Sequence, residues 1–128
     1  MSREIKFRAW DKYENKIRKV RGINFTNKDL WLEIEDNRIM GANFFEVELM
    51  QYTGLKDRND KEIYEGDIVR YFKDELGIVK FVAGSFIIDG NTCYESFLEL
   101  GGEIAIVGNI YENKDLLEEK KLCFIMQE

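Results

Sequence analysis

The chain has 128 residues, 45% of them hydrophobic and 13% aromatic, a length that fits one domain or two very small ones with enough apolar content to fill a core. It contains no histidine, which excludes imidazole general bases, Ser-His and Cys-His nucleophiles and most zinc and iron sites. The net charge of −6 is uneven, because residues 1–21 hold eight basic side chains against three acidic ones, a local +5 that leaves −11 on the remainder.

The dominant period is two. "IKFRAW" sets Ile5, Phe7 and Ala9 against Lys6, Arg8 and Trp10, the pattern of a half-buried strand, and the polar bend "DKYENK" leads into "IRKVRGINF", so the two predict a hairpin. "LWLEIED" places Leu30, Leu32 and Ile34 opposite Trp31, Glu33 and Glu35. "DNR" then turns into "IMGANFFEVELM", where Phe45, Val47 and Leu49 alternate with Glu46 and Glu48. Further on, "DIVRYF" and "GIVKFV" flank "KDELG", whose Gly77 suits a positive-φ hairpin position, and "GSFIIDG" adds a third strand. "YESFLEL" reads as one helical turn packed by Phe97 and Leu98, "EIAIVGNIY" as a strand, and "NKDLLEEKK" as a helix with Asn113 as its N-cap. Short strands and glycine turns with one terminal helix predict a mainly β chain: a small antiparallel sheet over 1–50, a small barrel over 51–113, and a helix with an apolar tail over 114–128.

Residues 49–72, "LMQYTGLKDRNDKEIYEGDIVRYF", concentrate turn formers, charges and aromatics. As a calcium loop starting at Asp57 they offer Lys61 at the fifth position, Glu62 where glycine is needed and Ile68 where glutamate is needed. As a phosphate loop they lack the glycine run and the GK[ST] ending. Turn chemistry remains: Gly54 and Gly66 for positive φ, and the Asx cluster of "DRNDK" for a chain reversal, with no metal held. "NIYEN" at 109–113 is a near-copy of "EIYEG" at 62–66.

No apolar run is long enough to span a bilayer, and the charged start "MSREIKFRAW" is unlike a signal peptide, so the expected location is the cytoplasm, without membrane contact. Cys93 and Cys123 lack metal or redox spacing and read as reduced packing thiols, with a disulfide as the alternative.

"REIKFRAWD", "MQYTGLKDRNDKEIYEGDIV" and "VGNIYEN" followed by "DLLEE" resemble the YopX family of phage and prophage proteins in order and approximate spacing. The resemblance covers most of the chain, leaving residues 22–45, 73–103 and the last nine outside the matching blocks. It implies a β-rich N-terminal part, an SH3-like small barrel toward the C-terminus, a phage-derived origin and a bacterial cytoplasm. It carries over no catalytic residue.

The first functional expectation is a non-catalytic protein-binding or assembly module, with Trp10, Trp31, Tyr52, Tyr64, Tyr71 and Tyr94 as candidate anchors for a host or phage partner, set against the reading that most of them are core. The alternative is nucleic-acid binding through the basic hairpin, Lys6, Arg8 and Arg18 tracking phosphates while Trp10 stacks on a base; the acidic body opposes it. In a third arrangement Lys6 and Arg8 are neutralised by Glu33 and Glu35 or by Glu46 and Glu48. Those carboxylate pairs are otherwise the wet side of a strand rather than an enzyme's acid and base, and no catalytic, cofactor or metal residue is assigned. The apolar run "LCFIM" near the end predicts a homo-oligomer assembled through the tail.

Overall fold

The computed structural model describes residues 4–71, 74–90, 94–96 and 104–118. The chain divides into two compact units, Met1–Tyr52 and Thr53–Glu128. Among the described residues no helix is long and apolar enough to cross a membrane.

The first unit is built on strands β1 (Phe7–Asp11), β2 (Lys16–Asn24), β3 (Asp29–Glu33), β4 (Ile39–Asn43) and the first six residues of β5 (Val47–Lys56), hydrogen-bonded in the order β4-β3-β2-β1-β5. The predicted hairpin forms, with Ala9 opposite Arg18 and Asp11 opposite Lys16. Asp11 closes its bend by accepting the N–H groups of Tyr13 and Glu14 on Oδ1, while Asn15 takes a positive φ of 56°. Alternation sends Ala9, Leu30 and Leu32 inward to a core with Val47, packed further by Val20, Ile23, Ala42, Phe44 and Leu49.

Two parts of this unit depart from uninterrupted alternation. Glu35–Asn37 is a short 3-10 turn, entered just after β3. Phe44–Glu46 is another, so "IMGANFFEVELM" is two strands and not one. Asn43 supplies the reason: its side chain accepts the Phe45 N–H while the Glu46 carboxylate accepts the Asn43 N–H, a reciprocal capping box that ends β4. The turn rotates Phe44 into the core and leaves Phe45 83% exposed, off the face expected for it.

In the second unit β6 (Glu62–Tyr64) follows β5 in the hydrogen-bonded order, and a five-stranded antiparallel sheet runs β10-β9-β8-β7-β11. Its strands are β7 (Asp67–Tyr71), β8 (Glu75–Val82), β9 (Ser85–Asp89), β10 (Tyr94–Ser96) and β11 (Ala105–Asn109). Ile63, Val69, Tyr71, Val79, Ile88 and Ile104 form the core. The order places β10 and β11 at opposite edges, and no pairing closes the sheet into a barrel among the described residues. Helix α1 covers 114–118.

Two local expectations are corrected and a third is refined. Tyr94–Ser96 pairs with β9 as a strand and is not a helical turn, since an edge partner satisfies backbone groups that so short a helix leaves open. Gly77 lies inside β8; the positive φ before that strand belongs to Asp74, at 64°. Asn113 stands just before α1, at the N-cap position expected for it, and its side-chain oxygen accepts the Asn109 N–H at 3.0 Å. Cys93, Phe97, Leu98, Cys123, the tail at 120–128 and the side chain of Tyr94 lie outside the described residues.

Candidate functional site

The cations of the basic hairpin are distributed unequally. Arg18 is 8% exposed and donates to Asp11 Oδ2 at 3.3 Å and to Glu35 Oε1 at 3.0 Å, while Lys16 reaches the same Glu35 oxygen at 2.9 Å. Burial works against the Arg18 charge, but the hydrogen bonds to Glu35 and Asp11 outweigh it and its pKa is raised. The Glu35 carboxyl is lowered from 4.5 to about 2, chiefly by the hydrogen bond from Lys16 and then by its own backbone and Arg18. Lys12 pairs with Glu48 and Arg21 with Glu33. Of the expected acids, Glu33 and Glu35 are engaged by cations of β2, Arg21 and the pair Lys16 and Arg18. Register explains this, because Glu33 and Glu35 belong to the β3 side, whose neighbour is β2 and not β1. Lys6 pairs with Glu4 and stands over the Tyr52 ring, and Arg8 donates to Met50 Sδ.

The dense stretch at 49–72 is a turn scaffold as read. Gly54 and Gly66 have φ of 89° and 86°. Asp57 is buried, and its carboxylate accepts three backbone N–H groups, from Asn59 and Lys61 on Oδ1 and from Ile106 on Oδ2, at 2.8, 2.9 and 3.0 Å. Burial pushes its pKa up and these three bonds pull it down further, so the net shift is downward. The two near-copies meet: the Ile110 N–H donates to the Gly66 carbonyl, and Asp67 lies opposite Asn109. No group of three or more metal-ligating side chains occurs among the described residues.

Among the candidate anchors, Tyr52 and Tyr71 are buried, Trp10 and Tyr64 are half-buried, and Trp31 is 42% exposed. Trp31 lies opposite Gly22 on β2 and Gly41 on β4. Its indole leans over Gly22, where an added Cβ would come within 3.4 Å of the ring, whereas an added Cβ at Gly41 would meet nothing within 4 Å. The result is a shallow depression of about 320 Å³ beside Trp31, lined also by Gly41, Asp29, Asn43 and Glu46. Ile39, on the same face by alternation, is 51% exposed.

Strand β4 is the edge of its sheet, and "IMGAN" carries no charge, proline or bulge to discourage another strand. Its backbone groups can be assigned. Phe44 N–H donates to Lys28 O and Ile34 N–H to Arg38 O, which makes 30↔42 and 32↔40 the hydrogen-bonded pairs and 29↔43, 31↔41 and 33↔39 the others. The N–H and C=O groups of Ile39 and Gly41 therefore point away from β3. Glu46 takes the Asn43 N–H and closes that end of the edge. Trp31 was visible in the sequence as a candidate. Its glycine flanks were not, because they arise from strand register; the local signal was an uncharged five-residue run with a glycine that serves no turn.

Residues 6–118 match the family model described as YopX protein. Among solved structures, the crystal structure of protein EF1440 from Enterococcus faecalis is similar, with 28% identity, a TM-score of 0.66, and coverage of 91% of this chain and 99% of that one. No curated protein matches.

Proposed function

The chain belongs to the YopX family, and from that premise we propose that it is a non-catalytic protein-binding module of phage origin, working in the bacterial cytoplasm, whose first unit carries the recognition surface. The observation that supports this reading is the β3–β4 face: Trp31 and Ile39 are exposed beside an uncharged edge strand, and Phe45 is exposed in the turn that follows it. Exposed apolar side chains gathered at an open edge are costly to leave in water and characteristic of docking surfaces. The order β10-β9-β8-β7-β11 in the second unit fits an SH3-like barrel opened along one seam, and we assign that unit the role of scaffold. Nucleic-acid binding through the hairpin has less support, since Arg18 is buried in an ion-pair network and Lys12, Lys16 and Arg21 are paired with glutamates.

Affinity capture tests the reading. The tagged full chain should retain proteins from a lysate of its source organism that the Trp31→Ser and Phe45→Ser variants lose. Phe81→Ser, a change to an exposed aromatic of the second unit, should capture them normally. Equal capture by all four proteins, each shown to be folded by its melting curve, would overturn the assignment.

A further inference from the structure

We infer that the β4 edge receives an extended segment of its protein partner as an added strand, with an arginine of that segment lying over Gly41 against Trp31 and facing Asp29 and Glu46. The inference rests on the docking role proposed above and adds the chemistry of the partner.

Backbone geometry sets the mode. Ile39 and Gly41 turn their N–H and C=O groups outward, the ladder that an incoming strand needs. Asn43 has its N–H already capped by Glu46, so the added strand is registered on the Ile39–Gly41 stretch and stops short of the 3-10 turn. A strand in this position places the side chain opposite Gly41 on the same face as Trp31, and Gly41 leaves open the space that any other residue would fill.

The lining selects that side chain. The depression combines the Trp31 indole with two acidic lining residues, Asp29 and Glu46. Asp29 Oδ1 is closed off from water and has no hydrogen-bond partner among the described residues, an arrangement that costs free energy until a donor arrives. The Glu46 carboxylate is held in place by the Asn43 N–H that it accepts. An aliphatic side chain would cover Trp31 but leave two carboxylates facing it, and an acidic one would be repelled. Arginine satisfies both requirements, because its planar guanidinium stacks on an indole and donates in a fork to a carboxylate. Lysine fits the charge but not the stacking.

The probes are three synthetic peptides of alternating threonine and valine, with arginine, leucine or glutamate at the central position. Each is titrated into the full chain while the Trp31 indole N–H and the backbone amides are followed by NMR. The arginine peptide should shift Trp31, Ile39 and Gly41, and bind about tenfold more tightly than the leucine peptide, with the glutamate peptide weakest. Gly41→Val, which meets no neighbour in the free protein, should melt normally and lose the arginine peptide. Asp29→Asn should bring the arginine and leucine affinities together. Equal binding of all three peptides, binding of none, or arginine binding undiminished in Gly41→Val would overturn the inference. So would a dimer in light scattering that Gly41→Val dissolves, since a second copy would then hold the edge. If lysate capture depends on Trp31 and Phe45 while the peptides show no arginine preference, the docking role stands and the arginine assignment falls; if capture is also unaffected, both fall.

Discussion

Asp57 shows how one side chain converts a run of polar residues into a fixed corner. Its carboxylate accepts the Asn59 and Lys61 N–H groups inside the turn and the Ile106 N–H at the start of β11, joining positions 49 residues apart. Removing it strands three donors, two of them held in the bend. Asp57→Ala should therefore cost roughly 3–5 kcal/mol of stability in denaturant melts, at about 1–3 kcal/mol for each stranded donor with some recovered by water; a loss below about 1 kcal/mol would show that the bend holds itself. The carboxylates also set an acid limit. Glu35 is lowered from 4.5 to about 2, and Asp57 is shifted in the same direction. Groups with depressed folded pKa values contribute fully above their unfolded values and lose that contribution as pH falls through the folded ones. Melting temperature should stay level above about pH 5 and fall between about 4.5 and 2, with the slope reduced in Glu35→Gln. A flat profile through that window would contradict the pairing of Glu35 with Lys16 and Arg18.

At the scale of the element, two glycines in strands behave oppositely. A Cβ at Gly77 would collide with the Ile88 side chain and crowd the Tyr71 ring, whereas one at Gly41 meets nothing. Gly77→Ala should destabilise by about 1–3 kcal/mol through overpacking. Gly41→Val should be neutral or stabilising, since a β-branched residue suits a strand better than glycine. Equal melting shifts for the two would contradict the packing described for β8 and β4. The same contrast marks what the sequence discloses. Strong alternation around Leu30, Trp31 and Leu32, the Asx bend at Asp11 and the positive φ of Gly54 and Gly66 are local, and all were legible. Gly77 was misassigned because a glycine required by a side chain on another strand looks, in sequence, like a turn glycine. The 3-10 turn at Phe44–Glu46 hid inside a string that also alternates, although the Asn43…Glu46 spacing is that of a capping box. Edge pairing of Tyr94–Ser96 has no local signature. The β4 face was legible only through Trp31, because its depression and its outward backbone groups follow from register.

For the molecule as a whole, the distribution of charge and apolar surface separates duties. In the N-terminal hairpin the basic residues Lys12, Lys16, Arg18 and Arg21 are engaged with acids of the same unit. Trp31 and Ile39 are exposed instead at an edge strand free of charge, where Asp29 and Glu46 line the depression beside the indole. The second unit shows an exposed aromatic of a different kind: Phe81 packs edge-on against Phe86 at 4.9 Å across its hairpin, a pair that stabilises the strands themselves. The proposed recognition surface is β4, and its openness can be read amide by amide. Hydrogen exchange of the free full chain, followed by NMR, is the most direct test. Met40 and Ala42, bonded to β3, should exchange on the order of a hundredfold more slowly than Ile39 and Gly41, which point away from it. Saturation with the arginine peptide should then slow Ile39 and Gly41 toward their neighbours. Ile39 and Gly41 already as protected as Met40 and Ala42 in the free chain would mean that the edge is covered before any partner arrives, and would contradict the account.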